Sequence, residues 1–338
     1  MGTGLSAVAT TTVASHSAPE ARGEQWGEAI PPPQPPSDIT SVVCALHQAR
    51  QDWRAAQGRE REPLGRELPS IEAVAQMAEQ IKGALFPMRL GPVGLRYESE
   101  DAYVAYTLHA AMQTLEQQAQ LELAFKARLG SGGDDAGAAP AIRAQAKEAV
   151  QALMAALPEI RRLLDSDVLA AYRGDPAAQN VDEVLLCYPG MLAIIHHRIA
   201  HVLYAQGLRL LARIVSELAH GKTGIDIHPG ARIGSGFFID HGTGVVIGET
   251  CVIGENVRIY QAVTLGARRF STGEDGHLLK GEARHPVVED DVVIYAGATI
   301  LGRITLGKGA SIGGNVWITH DVAPGVSVSQ AKLQHHQG

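Results

Sequence analysis

Apolar residues in the second half of the chain recur at every sixth position. An amphipathic helix would give a period of about 3.6 and a half-buried strand a period of about 2, so neither explains the pattern. A period of six predicts short strands joined by tight turns and wound into a solenoid, with one apolar side chain per strand directed inward. Thirteen such positions at three per coil predict about four coils, stacked about 4.8 Å apart. The positions are Ile227, Ile233, Ile239, Ile247, Ile253, Ile259, Leu265, Val288, Ile294, Ile300, Leu306, Ile312 and Ile318.

The first half of the chain has apolar residues at helical spacing instead. Ser37-Asp38, Ser70 and Ser99-Glu100-Asp101 each precede such a run, as capping residues and first-turn acids do at helix starts. Helical pattern also covers residues 141–172, with a break expected at Pro158, and a last helix is predicted at about 190–219. The predicted fold class is therefore α+β, with an N-terminal α-helical domain followed by a parallel β-helix.

Changes in composition along the chain predict the segment boundaries. The first residues are rich in Ala, Thr, Ser and Pro and lack the apolar centre of a secretion signal, which is typical of a disordered tail. The predicted segments are a tail at residues 1–37, an α-helical domain at 38–224 with a linker at about 130–140, a β-helix at 225–322 and a C-terminal tail at 323–338.

Charge and cysteine content disfavour several classes of protein. The net charge of −7 provides no basic footprint for nucleic acid. No apolar run approaches the roughly 20 residues that a membrane span requires. The three cysteines are odd in number and show no CxxC spacing, which argues against a disulfide framework or a zinc ribbon. We therefore expect a reduced, cytoplasmic protein without nucleic-acid or membrane partners.

The six-residue repeat is interrupted twice. Ile239 and Ile247 are eight residues apart, so two extra residues are inserted near Asp240-His241. Between Leu265 and Val288 the chain leaves the repeat and returns through Arg284-His285-Pro286. Irregular loops on a rigid scaffold commonly carry function, and each interruption contains a histidine beside a charged residue. We therefore expect the functional site at these two places.

Four sequence runs in and around the interruptions form a specific set. They are Asp226-Ile227-His228-Pro229, residues 239–250 (IDHGTGVVIGET), residues 261–266 (QAVTLG) and Arg284-His285-Pro286. Over roughly residues 160–322 the chain resembles serine O-acetyltransferases of the cysteine pathway, in a longer bacterial variant. The resemblance implies a left-handed parallel β-helix. It also implies acetyl transfer from acetyl-CoA to the hydroxyl of L-serine, the first step of cysteine biosynthesis from serine, giving O-acetyl-L-serine and CoA.

A general base is needed because the serine hydroxyl is a poor nucleophile at neutral pH. Histidine suits this task because its ordinary pKa near 6.5 leaves it mostly neutral at pH 7. By resemblance the base is His241, and Asp226 is the carboxylate that orients the imidazole, as in a catalytic dyad. The resemblance also implies direct attack by serine, without an acyl-enzyme.

Serine is a zwitterion and requires binding partners of both signs. Arg284 can bind the carboxylate bidentately, and His285 resembles a second carboxylate contact. Asp175 and Asp240 resemble the family's ammonium partners. Glu249 matches a recurrent position of the family's site.

The resemblance also assigns the acetyl-CoA positions. Ala267, Ala296 and Gly297 match backbone positions where small side chains admit the pantetheine arm, in a cleft between subunits. We therefore expect a homo-oligomer, a trimer or a dimer of trimers, with acetyl-CoA as co-substrate and neither a permanently bound cofactor nor a metal. Many family members end in an isoleucine that docks into cysteine synthase, whereas this chain ends in Gly338, so the resemblance does not support that partner.

Several alternatives remain open from the residues. A related acetyltransferase could act on the hydroxyl of a sugar or an antibiotic, which would not need a zwitterion-binding set, and the residue types alone do not separate serine from homoserine as the acceptor. A metal-dependent hydratase would need three converging histidines, for which His241, His277 and His285 are the candidates. A trimeric scaffold would need none of these side chains. Asp175 before a proline also fits a helix N-cap, and the spacing of His197 and His201 fits a packed, hydrogen-bonded pair better than a zinc site.

Overall fold

The computed structural model describes residues 38–58, 68–131, 138–269 and 281–330. The tail predicted at residues 1–37 lies outside the described residues, as do residues 331–338 of the predicted C-terminal tail. The chain divides into two compact units, Met1–Gly65 and Arg66–Gly338. The predicted boundaries between segments remain predictions.

The described part of the first unit is one helix, α1 (Ile39–Ala56). Asp38 caps it, because its carboxylate accepts a hydrogen bond from the Ser41 backbone N–H at 2.7 Å. The predicted helix start after Asp38 is confirmed.

The second unit begins with helices, and two of the predictions made for them were wrong. The helices are α2 (Ile71–Leu85), α3 (Pro87–Leu90), α4 (Glu100–Ser131), α5 (Ala139–Gly174), α6 (Val181–Cys187), α7 (Pro189–Ala205) and α8 (Arg209–Thr223). The break expected at Pro158 was wrong, since α5 continues through it. Pro158 and Met154 are both exposed, so the carbonyl that loses its helical partner faces water. The single helix predicted at 190–219 is two helices, because Gly207 adopts a left-handed φ of 77° and ends α7.

The solenoid consists of short strands that stack into three parallel sheets. Sheet A contains β1 (Asp226–Ile227), β4 (Val246–Ile247), β7 (Thr264–Gly266), β10 (Thr299–Leu301) and β13 (Trp317–Ile318). Sheet B contains β2 (Arg232–Ile233), β5 (Val252–Ile253), β8 (Val287–Val288) and β11 (Thr305–Leu306). Sheet C contains β3 (Phe238–Ile239), β6 (Arg258–Ile259), β9 (Val293–Ile294), β12 (Ser311–Ile312) and β14 (Ser327–Val328).

The aliphatic positions of the repeat form the core of this solenoid. All are buried except Ile233, which is partly buried. The left-handed β-helix predicted for this half is confirmed, and its last strand within the described residues, β14, pairs with β12. Within the described residues, no helix is both long and apolar enough to cross a bilayer.

A buried ion pair fastens the helices to the first coil. Arg198 on α7 donates to both carboxylate oxygens of Asp167 on α5, at 2.8 and 2.9 Å. The same guanidinium donates to the Gly234 carbonyl at 2.9 Å, and Asp167 accepts from the Phe237 backbone N–H at 2.9 Å. Because α5 is held in this way, its C-terminal end reaches the solenoid corner where the candidate site begins.

Candidate functional site

The two inserted residues of the solenoid are His241 and Gly242. Before the turn, Ile239 pairs with Ile259 in the next coil, 20 residues later. After the turn, Val246 pairs with Thr264, only 18 residues later, so this coil contains two extra residues. His241 has a left-handed φ of 58°, which is uncommon for a residue with a side chain. Its side chain is 70% exposed. The repeat therefore presents an imidazole on an irregular turn at the corner between sheets C and A, called here the CA corner.

Gly242 seats this turn against the first coil. Its φ is 88°, and a Cβ added there would lie 2.4 Å from Ile225 Cδ1. Since Ile225 precedes Asp226, the turn that carries His241 packs directly beside the start of β1. A larger residue at position 242 would push the imidazole away from this place.

Asp240 and Arg258 form an ion pair next to His241. Arg258 donates to Asp240 Oδ2 at 3.1 Å, and Asp240 Oδ1 lies 3.9 Å from His241 Nδ1. The second distance is too long for a hydrogen bond. The Arg258 guanidinium also lies over the rings of Phe238 and Tyr260, at 5.1 and 4.8 Å. Asp240 is thus held in place from the outer face of sheet C.

Asp175 joins the same corner from the end of α5. The alternative of a helix N-cap was wrong, because Asp175 is the C-cap residue of α5. Its carboxylate accepts from the Tyr188 hydroxyl at 2.5 Å and from the Ala177 N–H at 2.8 Å. The Tyr188 hydrogen bond, followed by that of Ala177, lowers the pKa of Asp175. In turn Asp175 raises the pKa of Tyr188 to about 12, so the carboxylate stays ionised and the phenol protonated at neutral pH.

Asp226, the predicted orienting carboxylate, has its contacts on α8. Its Oδ1 lies 4.0 Å from Arg213, and Glu217 and His220 lie close enough that one ligand atom from each of the three residues fits within 4.8 Å. Of the described residues, this trio could hold a metal ion, although the Arg213 guanidinium beside it opposes a cation. The role of Asp226 toward His241 remains a prediction.

A second charged group lies at the corner between sheets A and B, called here the AB corner. Glu249 accepts from Arg284 at 2.6 Å and from the Tyr204 hydroxyl at 2.7 Å. Burial by itself raises the pKa of Glu249, but the hydrogen bonds from Tyr204 and Arg284 outweigh it, so the pKa lies below its usual value. The ionised carboxylate fixes one edge of the Arg284 guanidinium.

His285 is buried at this corner in a defined tautomer. The Thr250 N–H donates to His285 Nδ1 at 3.1 Å, and the Thr250 hydroxyl oxygen lies 2.9 Å from the same atom. That hydroxyl already accepts from the backbone N–H groups of Arg284 and His285, so its own proton points to Nδ1. Burial, followed by the charge of Arg284, lowers the pKa of His285 to about 4. The imidazole is therefore neutral at pH 7 and carries its proton on Nε2.

Glycine makes room for this imidazole. A Cβ added to Gly248 would lie 2.0 Å from His285 Cδ2, so the ring packs directly over the Gly248 backbone. Only glycine lets the imidazole approach the backbone so closely, which explains why a glycine precedes Glu249 in the site sequence.

The predicted site residues therefore form two groups within one chain. His241, Asp240 and Asp175 gather at the CA corner, and Arg284, His285 and Glu249 gather at the AB corner. The chain from Val245 to Glu249 crosses sheet A between them, about 13 Å at 3.3 Å per residue. A single chain does not bring Arg284 into contact with His241.

The predicted acetyl-CoA positions also divide between these corners. Ala267 follows β7 at the AB corner, whereas Ala296 and Gly297 follow β9 at the CA corner, where Gly297 has a φ of 72°. His277, a candidate of the metal-dependent alternative, lies outside the described residues.

The histidine pair on α7 is packed, as predicted, but the predicted hydrogen bonding holds for His201 and not for the buried Nδ1 of His197. The rings of His197 and His201 lie 5.8 Å apart between centroids, and His201 Nδ1 lies 2.8 Å from the Pro229 carbonyl. Burial, followed by the nearby His201, lowers the pKa of His197 well below its usual value.

Sequence reasoning missed four residues that hold the site side chains. Thr250 was visible in the run IDHGTGVVIGET, and Tyr188 begins a Tyr-Pro-Gly run, but neither pattern by itself indicates a hydrogen-bond partner. Arg258 occupies an ordinary outward position of the repeat, and Tyr204 lies on a helix remote in sequence from Glu249. Only the stacking of coils and helices identifies these pairs.

Comparison with known proteins shows similarity across both halves of the chain. A sequence-family profile described as bacterial transferase hexapeptide (six repeats) matches residues 285–320. A plasmid-borne serine acetyltransferase of Synechococcus elongatus is 52% identical over 305 residues, covering 88% of this chain and 92% of the relative. The Bacillus subtilis serine acetyltransferase is 50% identical over 161 residues, covering 48% of this chain and 70% of the relative. The crystal structure of Entamoeba histolytica serine acetyltransferase 1 in complex with L-cysteine has a TM-score of 0.64 and 39% identity, covering 75% of this chain and 86% of that chain.

Proposed function

The chain belongs to the serine acetyltransferase family, and we propose that it transfers the acetyl group of acetyl-CoA to the hydroxyl of L-serine. The products are O-acetyl-L-serine and CoA. The observation that carries this proposal is an exposed base on an inserted turn, His241, with acidic side chains beside it and the guanidinium of Arg284 at the neighbouring corner. That set suits an acceptor with a hydroxyl, an ammonium and a carboxylate.

His241 is the general base of the proposed reaction. Its neutral imidazole takes the hydroxyl proton as the serine oxygen attacks the thioester carbon. The tetrahedral intermediate collapses by breaking the carbon–sulfur bond, and the imidazolium returns its proton to the departing CoA thiolate. Asp226 orients the ring and stabilises the imidazolium, and Asp240 at 3.9 Å adds to this stabilisation.

The ends of the acceptor amino acid are bound by groups of opposite charge. Asp175 and Asp240 attract the ammonium group, with their carboxylates held by Tyr188 and Arg258. Arg284 binds the carboxylate with the part of its guanidinium that Glu249 leaves unused. The Nε2–H of neutral His285 adds a further donor for the carboxylate or the developing oxyanion.

The separation of the two corners supports an active site shared between subunits. One serine molecule cannot reach across the roughly 13 Å of sheet A that separates the groups. A threefold arrangement in which the CA corner of one subunit faces the AB corner of the next would unite them, with acetyl-CoA between Ala267 and the Ala296-Gly297 pair. We therefore propose a homotrimer at minimum. Light scattering that gave an active monomer would contradict it.

An acceptor panel tests the proposed activity. Purified protein is given acetyl-CoA with L-serine, L-homoserine or an amino sugar, and release of the CoA thiol is measured. We expect kcat/KM to be highest with L-serine, because the charged pairs are arranged for an amino acid. A preference for the amino sugar would refute serine as the acceptor but would leave the proposed acetyltransferase chemistry intact. No thiol release with any acceptor would refute the proposal.

A further inference from the structure

Two tyrosines are stacked along the CA corner above the residue that precedes His241. Asp240, Tyr260 and Tyr295 occupy the same position of successive coils, since Ile239 pairs with Ile259 and Ile259 with Ile294. The rings of Tyr260 and Tyr295 lie 5.2 Å apart between centroids and are inclined by only 13°. Arg258 lies over the Tyr260 ring on the same outer surface. These side chains form a continuous aromatic column that rises from the proposed serine site.

The column stops where the next coil has a glycine. Ile294 pairs with Ile312, so the residue beside Tyr295 in the following coil is Gly313. Gly313 has no side chain to continue the stack, and Tyr295 is 44% exposed. A Cβ added to Gly313 would lie 2.9 Å from the Val328 carbonyl oxygen, so the backbone of the next coil borders this level. Outside that backbone, a flat ring of similar size can lie on the outer face of Tyr295, about one coil spacing, or 4.8 Å, further along the axis.

We propose that this platform binds the adenine ring of the acetyl donor. The inference rests on the proposed function, in which Ala296 and Gly297, directly after Tyr295, border the pantetheine arm. The thioester must lie at His241 in the first coil, and the long pantetheine and diphosphate chain places the adenine several coils away. Purine rings stack on aromatic side chains whatever their substituents, because every base has a π face. Tyr295 offers such a face at the CA corner of the solenoid.

The test compares two donors with the same thioester and pantetheine arm, only one of which carries the diphosphate and the nucleotide. Acetyl-CoA carries adenine, whereas S-acetylpantetheine has the same thioester and pantetheine arm without it. Both are assayed with L-serine in the parent protein and in Tyr295→Ala, Tyr295→Phe and Tyr106→Ala. Tyr295→Phe retains a stacking ring without the hydroxyl. Tyr106→Ala removes an exposed tyrosine of α4 that lies outside the column.

We expect Tyr295→Ala to lower kcat/KM for acetyl-CoA by about tenfold or more, the usual loss for one stacked base. The effect should appear mainly in the KM for acetyl-CoA, while kcat/KM for S-acetylpantetheine stays within about twofold of the parent. Tyr295→Phe and Tyr106→Ala should resemble the parent with both donors. Equal losses with the two donors in Tyr295→Ala, or no loss with either, would overturn the assignment.

Direct binding separates failure of this inference from failure of the proposed activity. Adenosine 3′,5′-bisphosphate, the nucleotide part of CoA, is titrated into the parent and Tyr295→Ala by calorimetry. Binding that is about tenfold weaker in Tyr295→Ala would support the platform even if L-serine were not the acceptor. Unchanged binding would refute the platform even if the serine acetyltransferase activity were confirmed.

Discussion

The buried pair Asp167–Arg198 should be among the most sensitive points of the fold, and Asp167→Asn tests this. The Asp167 side chain is 0% exposed and that of Arg198 is 4% exposed. Asp167 Oδ1 accepts from Arg198 and Phe237, and Oδ2 accepts from Arg198. An asparagine amide placed in either orientation turns its N–H₂ group toward one of these donors. The variant therefore leaves a buried guanidinium without its counter-charge and opposes at least one of its donors.

Breaking a buried ion pair on one side costs about 3–5 kcal/mol, whereas an exposed pair contributes about 0–1 kcal/mol. The chain offers a matched control on the same helix, two residues away. Asp165 pairs with Arg161 at 2.9 Å, but these side chains are 48% and 43% exposed. Asp165→Asn should therefore lower the free energy of unfolding by less than about 1 kcal/mol.

The assay is urea unfolding followed by circular dichroism at one fixed protein concentration, since an oligomer's apparent stability depends on concentration. We expect Asp167→Asn to unfold at a much lower urea concentration than Asp165→Asn. If the two variants lost equal stability, the pair would not fasten α5 and α7 to the first coil in the way the geometry indicates.

Three further outcomes follow from the site. His241→Ala should lower kcat by about 10²–10⁴ without changing the circular dichroism spectrum. The control His109→Ala, which removes an exposed histidine of α4, should leave kcat unchanged. Near-normal turnover in His241→Ala would require another base. Arg284→Ala should raise the KM for serine strongly but not that for acetyl-CoA, and Arg284→Lys should do the same because lysine lacks the planar guanidinium. Serinamide has no carboxylate, so a variant that lost serine and serinamide activity equally would refute the carboxylate assignment. The folded-state pKa of His285, about 4, lies below its unfolded value near 6.5, so its contribution to stability is complete above pH 6.5 and is lost as the pH falls toward 4. On acidification from pH 7 to pH 5, the parent should therefore lose more Tm than His285→Gln, and equal losses would contradict the buried neutral imidazole.

The six-residue pattern was enough to predict the solenoid and the location of its irregular turn. The six-residue repeat is local, and each inward aliphatic residue must be buried whichever coil stacks on it. The extra spacing between Ile239 and Ile247 likewise locates the insertion of His241 and Gly242 without reference to any distant residue. Helix starts at Asp38 and Ser70 were predictable for the same reason, because capping depends on neighbours three residues away.

The contacts between polar side chains could not be predicted in this way, because they depend on the folded arrangement of coils and helices. Tyr188 holds Asp175 across 13 residues, Arg258 holds Asp240 across 18, and Arg284 holds Glu249 across 35. These side chains point outward from the repeat or lie on helices, so the hydrophobic pattern does not constrain them. Their partners depend on how coils stack and how helices dock. Burial of apolar surface is non-directional, so a periodic local pattern is enough to predict it. A hydrogen bond or an ion pair requires two specific groups to meet at one place.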